Sequence, residues 1–450
     1  MTVELEVPQV TPGQVHPILA AHLLADGFDL VLDTESSTGR YLVDARDGTS
    51  YLDMFGFFAS SALGMNHPAL AQDEQFRSEL TTAALNKPSN SDIYTVEMAR
   101  FVDTFVRVLG DPALPHLFFV DGGALAVENA LKAAFDWKSR HNEMHGRSRE
   151  LGTRVLHLSG AFHGRSGYTL SLTNTDPVKT DRYPKFDWPR LRTPYIRPGA
   201  DLTAEEDAAF AAARAAFEAH PHDIACFIAE PIQGEGGDRH LRPRFLQGIQ
   251  ELCREFDALF VVDEVQTGVA ATGTNWAYQQ LGLTPDLVAF GKKTQVCGVM
   301  AGGRIDEVAD NVFHVSSRIN STWGGNLADM VRARRILEVI ESEDLAGRAA
   351  RMGAGLLARL TALAAEFPEL ITEPRGRGLL CAVTLPSPAV RDAVVTALRE
   401  NEKILLLGTG ERGIRFRPPL TVTDDELDRA VEAMARVLDV ARPGILRDSA

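Results

Sequence analysis

Through the middle of the chain, short apolar runs alternate with longer segments whose apolar residues recur every three to four positions. The runs are 117–120, 155–158, 224–228, 259–262 and 287–290. Each is continuous rather than alternating, which is the pattern of a strand covered on both faces. Between them, residues 127–138, an Ala-rich stretch at 204–219 and residues 245–256 carry helical periodicity. Thr203 and Glu206 have the spacing of a capping box for the Ala-rich helix, with Phe210 and Phe217 on one face. This alternation predicts an α/β fold: a mainly parallel sheet with helices on both sides.

The flanks read differently. Residues 41–44 and 51–53 flank Asp47-Gly48, a hairpin signal. Phe55-Gly-Phe-Phe reads as core or subunit interface. Residues 327–365 are mostly helical, and 375–384 read as a turn and a strand. Thr423 and Glu426 cap a last helix with Leu427, Val431, Met434 and Leu438 on its apolar face. The expected organisation is a large α/β domain at 76–328 and a smaller α+β domain formed by 1–75 and 329–450.

Composition narrows the function. Among 450 residues, 46 are Lys or Arg and 61 are Asp or Glu, a net charge of −15. That balance argues against a partner such as nucleic acid or an anionic membrane surface, both of which want clustered cations. The opening MTVELEVPQV has no basic and apolar leader pattern, and no stretch approaches the roughly 18 apolar residues of a membrane span. Cys226, Cys253, Cys297 and Cys381 are far apart with no C-x-x-C spacing. They read as reduced buried thiols of a cytoplasmic protein, with no metal framework.

Parallel sheets bind ligands at the carboxyl ends of their strands, so the residues after each run carry the candidate chemistry. After the first comes Asp121-Gly-Gly-Ala, two glycines ahead of a helix, where exposed N–H groups suit a phosphate. After the second comes Ser159-Gly-Ala-Phe-His-Gly-Arg, with a ring to stack on a heterocycle and an arginine to grip a carboxylate. The third leads to Glu230-Pro-Ile-Gln-Gly-Glu, where a carboxylate could hold an arginine that awaits substrate. The fourth ends at Asp263, costly to bury without a cationic partner such as a protonated ring nitrogen. The fifth meets Gly291-Lys-Lys-Thr, where an amine could form a Schiff base. Each feature alone is also an ordinary turn, cap or solvated pair. In order, they are the parts of a pyridoxal 5′-phosphate site.

Those motifs, with Val262-Asp-Glu-Val-Gln-Thr-Gly and Ile414-Arg-Phe-Arg-Pro-Pro-Leu, resemble the class III aminotransferases of fold-type I over residues 34–437. The likeness is greatest to members acting on the ε-amine of lysine, through His163-Gly-Arg-Ser-Gly-Tyr and Phe290-Gly-Lys-Lys-Thr-Gln-Val-Cys-Gly. The resemblance implies a seven-stranded, mainly parallel sheet and a homodimer with active sites at the subunit interface. It implies that Lys292 carries the Schiff base and moves the proton. Lys293 is the ambiguity, because a strand alternates faces and only one of the pair can face the cofactor. Asp263 would pair with the pyridinium nitrogen and Gln266 would reach the phenolic oxygen. Val265 and Phe162 would pack against the two ring faces beside His163. Gly123 and Ala124 would donate N–H groups to the phosphate, completed by Thr322 of a second subunit. Arg165 would take the α-carboxylate of lysine or the distal carboxylate of 2-oxoglutarate. Arg415 would take the α-carboxylate of L-glutamate or 2-oxoglutarate. Glu235 would cover Arg415 while lysine is bound, and Asn320 would help orient a substrate carboxylate. Ornithine and 4-aminobutyrate are alternative substrates within the family. A silent, non-catalytic relative and a nucleotide-binding enzyme are alternatives of other classes.

Overall fold

The structure is a computed structural model and describes residues 9–448. Its central sheet has seven strands: β1 (His116–Val120), β2 (Arg154–Leu158), β3 (Arg190–Leu191), β4 (Ile224–Ala229), β5 (Leu259–Asp263), β6 (Leu287–Phe290) and β7 (Cys297–Ala301). Their spatial order is β1-β7-β6-β5-β4-β2-β3. Only β7 runs against the rest, antiparallel to both β6 and β1. All five apolar runs are strands.

Burial explains why those runs are continuous. Leu259 and Val261 face one apolar cluster, which includes Val127, Ala130, Leu131 and Trp137 of the helix Gly123–Met144. Phe260 and Val262 face the opposite cluster, with Phe245 and Ile249 of the helix Pro243–Glu255. Alternate side chains thus enter two cores, so neither face tolerates a polar residue.

The Ala-rich helix spans Leu202–Ala219, and its cap differs from the expected one. Asp201, not Thr203, is the N-cap, and its carboxylate accepts from the Ala204 N–H at 3.1 Å. Glu206 is fully buried and bridges Arg242 Nε and Arg244 Nη1, both at 2.7 Å. A carboxylate with two guanidinium partners is worth more there than in a capping box.

The flanking segments meet. The hairpin Tyr41–Asp44/Ser50–Asp53 is antiparallel, and Ile404–Leu405 lies parallel to its second strand. A separate antiparallel sheet orders Thr372–Arg377, Leu380–Thr384, Gly413–Phe416 and Leu407–Thr409. The last helix, Asp424–Asp448, has the expected cap, with the Thr423 N–H donating to Glu426 at 2.9 Å. Glu426 also pairs with Arg40 at 2.8 Å, tying the N-terminal sheet to that helix. Among the described residues no helix is long and apolar enough to cross a membrane.

Candidate active site

The strand ends on one edge of the sheet open into a cavity of about 470 Å³. Its walls include Gly123, Ala124, Phe162, His163, Arg165, Glu235, Asp263, Val265, Gln266 and Lys292. Four strand-end loops and the lysine turn therefore converge as the sequence implies.

Gly122 has a φ of 102°, a conformation that glycine adopts freely, and it turns the chain so that the helix Gly123–Met144 begins at the cavity wall. The free N–H groups of that first turn and the helix dipole make a seat for an anion.

Asp263 is nearly fully buried at the end of β5. It accepts from the Val265 N–H at 3.0 Å and bonds His163 Nδ1 at 2.7 Å. Burial works against an imidazolium at His163, yet the Asp263 hydrogen bond and the charges of Asp263 and Glu230 outweigh it and raise the pKa. Glu230 is pushed up to about 8, mainly by burial. It accepts from the Phe162 N–H at 2.9 Å and the Gly234 N–H at 3.2 Å, so it braces the two loops.

The two lysines do not lie on a strand. β6 ends at Phe290, and Lys292–Thr294 form a 3-10 turn in which Lys292 has a φ of 55°. Alternation of strand faces therefore does not decide between them. Lys292 lines the cavity and its Nζ donates to the Phe58 carbonyl at 2.8 Å. Burial, then the charges of Arg415 and Arg417, lower its pKa to about 8. Lys293 is buried and its Nζ has no hydrogen-bond partner.

Behind the cavity wall, Arg415 is buried and its Nη1 meets Glu235 Oε2 at 3.0 Å. The second oxygen of Glu235 accepts from Lys179 Nζ at 2.6 Å. Burial alone would raise the Glu235 pKa, but Arg415 and Lys179 together lower it, so the side chain is a carboxylate.

Asn320 and Thr322 do not line this cavity. Both are exposed, and Asn320 Oδ1 accepts from the Ser321 N–H at 2.8 Å.

Sequence reasoning named none of four further contributors. Phe58 lines the cavity; its segment reads mostly as core or subunit interface, although the family resemblance also puts it near a substrate entrance, and of its three rings only Phe55 is well buried. Arg417 is buried, pairs with Asp238 and reaches Gln266 Oε1 at 3.3 Å. The signal was present: Arg415 and Arg417 are two apart, so they share one side of an extended segment. Asp238 and Lys179 lie in polar loops with no pattern to flag them.

The residues fit a flat, phosphorylated, aldehyde-bearing heterocycle. An anion seat, an aromatic ring, a valine, a strand-end carboxylate and an amine lowered to about 8 are grouped in one cavity. The free thiols Cys226, Cys253, Cys297 and Cys381 are all buried and take no part in the cavity wall.

Comparison with known proteins gives the same picture. The chain is 66% identical over 433 residues to the L-lysine-epsilon aminotransferase of Mycobacterium tuberculosis, covering 96% of each chain. It is 59% identical over 447 residues to the L-lysine-epsilon aminotransferase of Amycolatopsis lactamdurans, covering 97% of this chain and 99% of that one. Among solved structures, lysine aminotransferase from M. tuberculosis in the internal aldimine form matches with a TM-score of 0.95 and 65% identity. That match covers 96% of this chain and all of the other. The model of the family "Aminotransferase class-III" matches residues 25–438, so the chain belongs to the class III aminotransferases.

Proposed function

We propose that the chain transfers the ε-amino group of L-lysine to 2-oxoglutarate, giving 2-aminoadipate 6-semialdehyde and L-glutamate. The cofactor is pyridoxal 5′-phosphate, which supplies the electron sink for cleaving a C–H bond next to the amine. The observation that carries this reading is the Arg415–Glu235 ion pair at the wall of the Lys292 cavity. The lysine assignment is supported by 59–66% identity to lysine aminotransferases over nearly the whole chain.

The residues divide the work. The first turn of the helix at Gly123 and Ala124 seats the phosphate. Phe162 and Val265 would pack against the ring, and Gln266 would bond its phenolic oxygen. Asp263 is fixed by His163 and the Val265 N–H, so it presents a carboxylate in a dry site to the ring nitrogen. An amine with a pKa of about 8 is neutral in roughly a tenth of molecules near pH 7, so Lys292 would be the group that holds the cofactor covalently and would take up the proton released at the substrate carbon.

Charge selects the two substrates. Lysine presents its ε-amine while its carboxylate stays at Arg165, at the mouth of the cavity. Glu235 then neutralises Arg415, which would otherwise be an unpaired buried cation. A 2-oxoglutarate molecule presents its α-carbon, and its α-carboxylate replaces Glu235 on Arg415. Asn320 and Thr322, absent from their own chain's cavity, serve the partner's site in a homodimer. A reducing cytoplasmic compartment suits the four unpaired thiols.

The test is one half-reaction. The purified protein is mixed with L-lysine alone, with ornithine and 4-aminobutyrate in parallel, and the loss of the cofactor's visible absorbance is followed. Fast loss with lysine and a cyclic imine product are expected. Loss only with another amine overturns the lysine assignment and leaves the family untouched.

A further inference from the structure

Glu235 is held by two cations, one at each carboxylate oxygen. Its Oε2 faces Arg415 Nη1 at 3.0 Å and its Oε1 faces Lys179 Nζ at 2.6 Å. Arg415 is buried behind the Lys292 cavity. Lys179 is on the other side of Glu235, in the wall of a second cavity of about 830 Å³ that also exposes Glu235, Thr175 and Thr409. Glu235 is therefore the partition between the two spaces.

We propose that Lys179 is the docking cation for the Glu235 carboxylate, holding it clear of Arg415 whenever a substrate dicarboxylate occupies that arginine. This rests on the aminotransferase reading above.

The backbone around Glu235 is closely packed. A Cβ on Gly234 would meet Gln266 Oε1 at 2.1 Å, and one on Gly236 would meet the Gly160 carbonyl oxygen at 2.1 Å. The Glu235 carbonyl accepts from the Gly410 N–H at 3.1 Å. The Gly160 contact is with backbone and the Gly410 bond ties the same segment, so rotating the Glu235 side chain is the least costly way for it to leave Arg415. The second cavity gives that rotation room.

Lys179, in contrast, is fixed. It ends the 3-10 turn Pro177–Lys179, which Asp176 caps by accepting from the Val178 N–H at 3.0 Å. Its Nζ also donates to Thr175 Oγ1 at 3.4 Å and lies 5.5 Å from the Phe162 ring centre. The other cations of the second cavity are already engaged: Arg391 pairs with Asp392 at 2.5 Å and Arg399 with Glu400 at 3.3 Å.

The energetic consequence is asymmetric. With lysine bound, Glu235 has both partners, and losing Lys179 leaves Arg415 in place. With a dicarboxylate bound, Lys179 is, among the described residues, the one cation left to Glu235, and losing it strands a partly buried carboxylate. Lys179 is thus a positioning residue that favours one of the two substrates.

The experiment uses the holoenzyme and its Lys179→Met and Lys179→Arg variants. Glutarate, a dicarboxylate with neither amine nor ketone, is titrated by calorimetry, and the lysine and glutamate half-reactions are timed separately. Lys179→Met should weaken glutarate binding and raise the glutamate half-saturation by about tenfold, the scale of a charged hydrogen bond. The lysine half-reaction should change by less than about threefold, and Lys179→Arg should restore glutarate binding. In a Glu235→Gln background, Lys179→Met should add nothing, because no carboxylate remains to dock. Equal loss in both half-reactions, or no loss of glutarate binding, overturns the proposal. A wild-type protein inert to lysine but with this glutarate pattern overturns the substrate assignment alone.

Discussion

At the scale of single residues, the adjacent lysines separate a reactive amine from a buried one. Lys292 reaches the cavity, and Lys293 sits in the core with no partner. Lys292→Ala should abolish turnover while Lys293→Met retains it, as steady-state rates would show; the reverse result would sink the assignment. Lys293→Met should also stabilise the protein. Burial first, then the charges of Lys292 and Arg417, lower the Lys293 pKa from 10.5 to about 7. Between those values the unfolded chain binds more protons than the folded one, so the wild type gains stability as pH rises through that window. Below about pH 7 the full cost is present, and at about 1.4 kcal/mol per pH unit it has a ceiling of about 5 kcal/mol. The gain in melting temperature from Lys293→Met should therefore be largest near neutral pH and below. It should fade toward the ordinary lysine pKa. Neither lysine's role was legible from strand alternation, because Lys292 adopts a left-handed conformation in a turn where alternation does not operate.

At the scale of elements, a parallel sheet makes much of the site readable. Its parallel strands all end on one edge, so the loops that leave the apolar runs are brought to one place. Gly123, Phe162, Glu235, Asp263 and Lys292 come together for that reason. Two sheet strands gave no comparable signal: Arg190–Leu191 has two residues, and Cys297–Ala301 is interrupted by Gly298. Lys179, Arg417 and Asp238 were not flagged because their partners lie far away in sequence and only tertiary contact pairs them. Close element contacts were also hidden. The helix Leu345–Glu366 approaches the turn between Thr372–Arg377 and Leu380–Thr384 so tightly that a Cβ on Gly353 would meet the Gly378 carbonyl oxygen at 2.0 Å. Backbone cannot yield as a side-chain tip can, so Gly353→Ala should cost about 2–3 kcal/mol or more and lower the melting temperature by several degrees. Gly355→Ala is the control on the same helix. Its Cβ would meet only the mobile tip of Arg359 at 2.9 Å, and removing a helical glycine should stabilise by about 0.5–1 kcal/mol. Equal and opposite shifts are not required, but two losses of similar size would remove the packing argument.

At the scale of the whole molecule, one chain carries residues whose implied work lies outside its own cavity. Thr322 and Asn320 are exposed on a segment tied to the neighbouring loop: the Asn90 N–H donates to the Trp323 carbonyl at 3.2 Å, and Lys87 lies 4.6 Å from the Trp323 ring centre. Trp323 is 41% exposed, and Leu85, Ile93, Tyr94 and Val96 on the adjoining segment are more exposed still. Exposed apolar surface of this kind is suited to cover by a second protein surface. If Thr322 completes the phosphate seat of the opposite chain, two dead proteins should rescue one another. A Lys292→Ala chain lacks the amine and keeps Thr322. A Thr322→Asp chain keeps the amine and offers a negative charge to the partner's phosphate. In a mixed dimer, one site joins both lesions and the other joins neither. Co-expression with two affinity tags, followed by purification through both, isolates that species. It should recover about half of the wild-type specific activity, since one of its two sites is intact. Activity of the Thr322→Asp homodimer near wild type would remove Thr322 from the site. A mixed dimer as inactive as its parents would place Lys292 and Thr322 in the same site of one chain, against their separation in the fold.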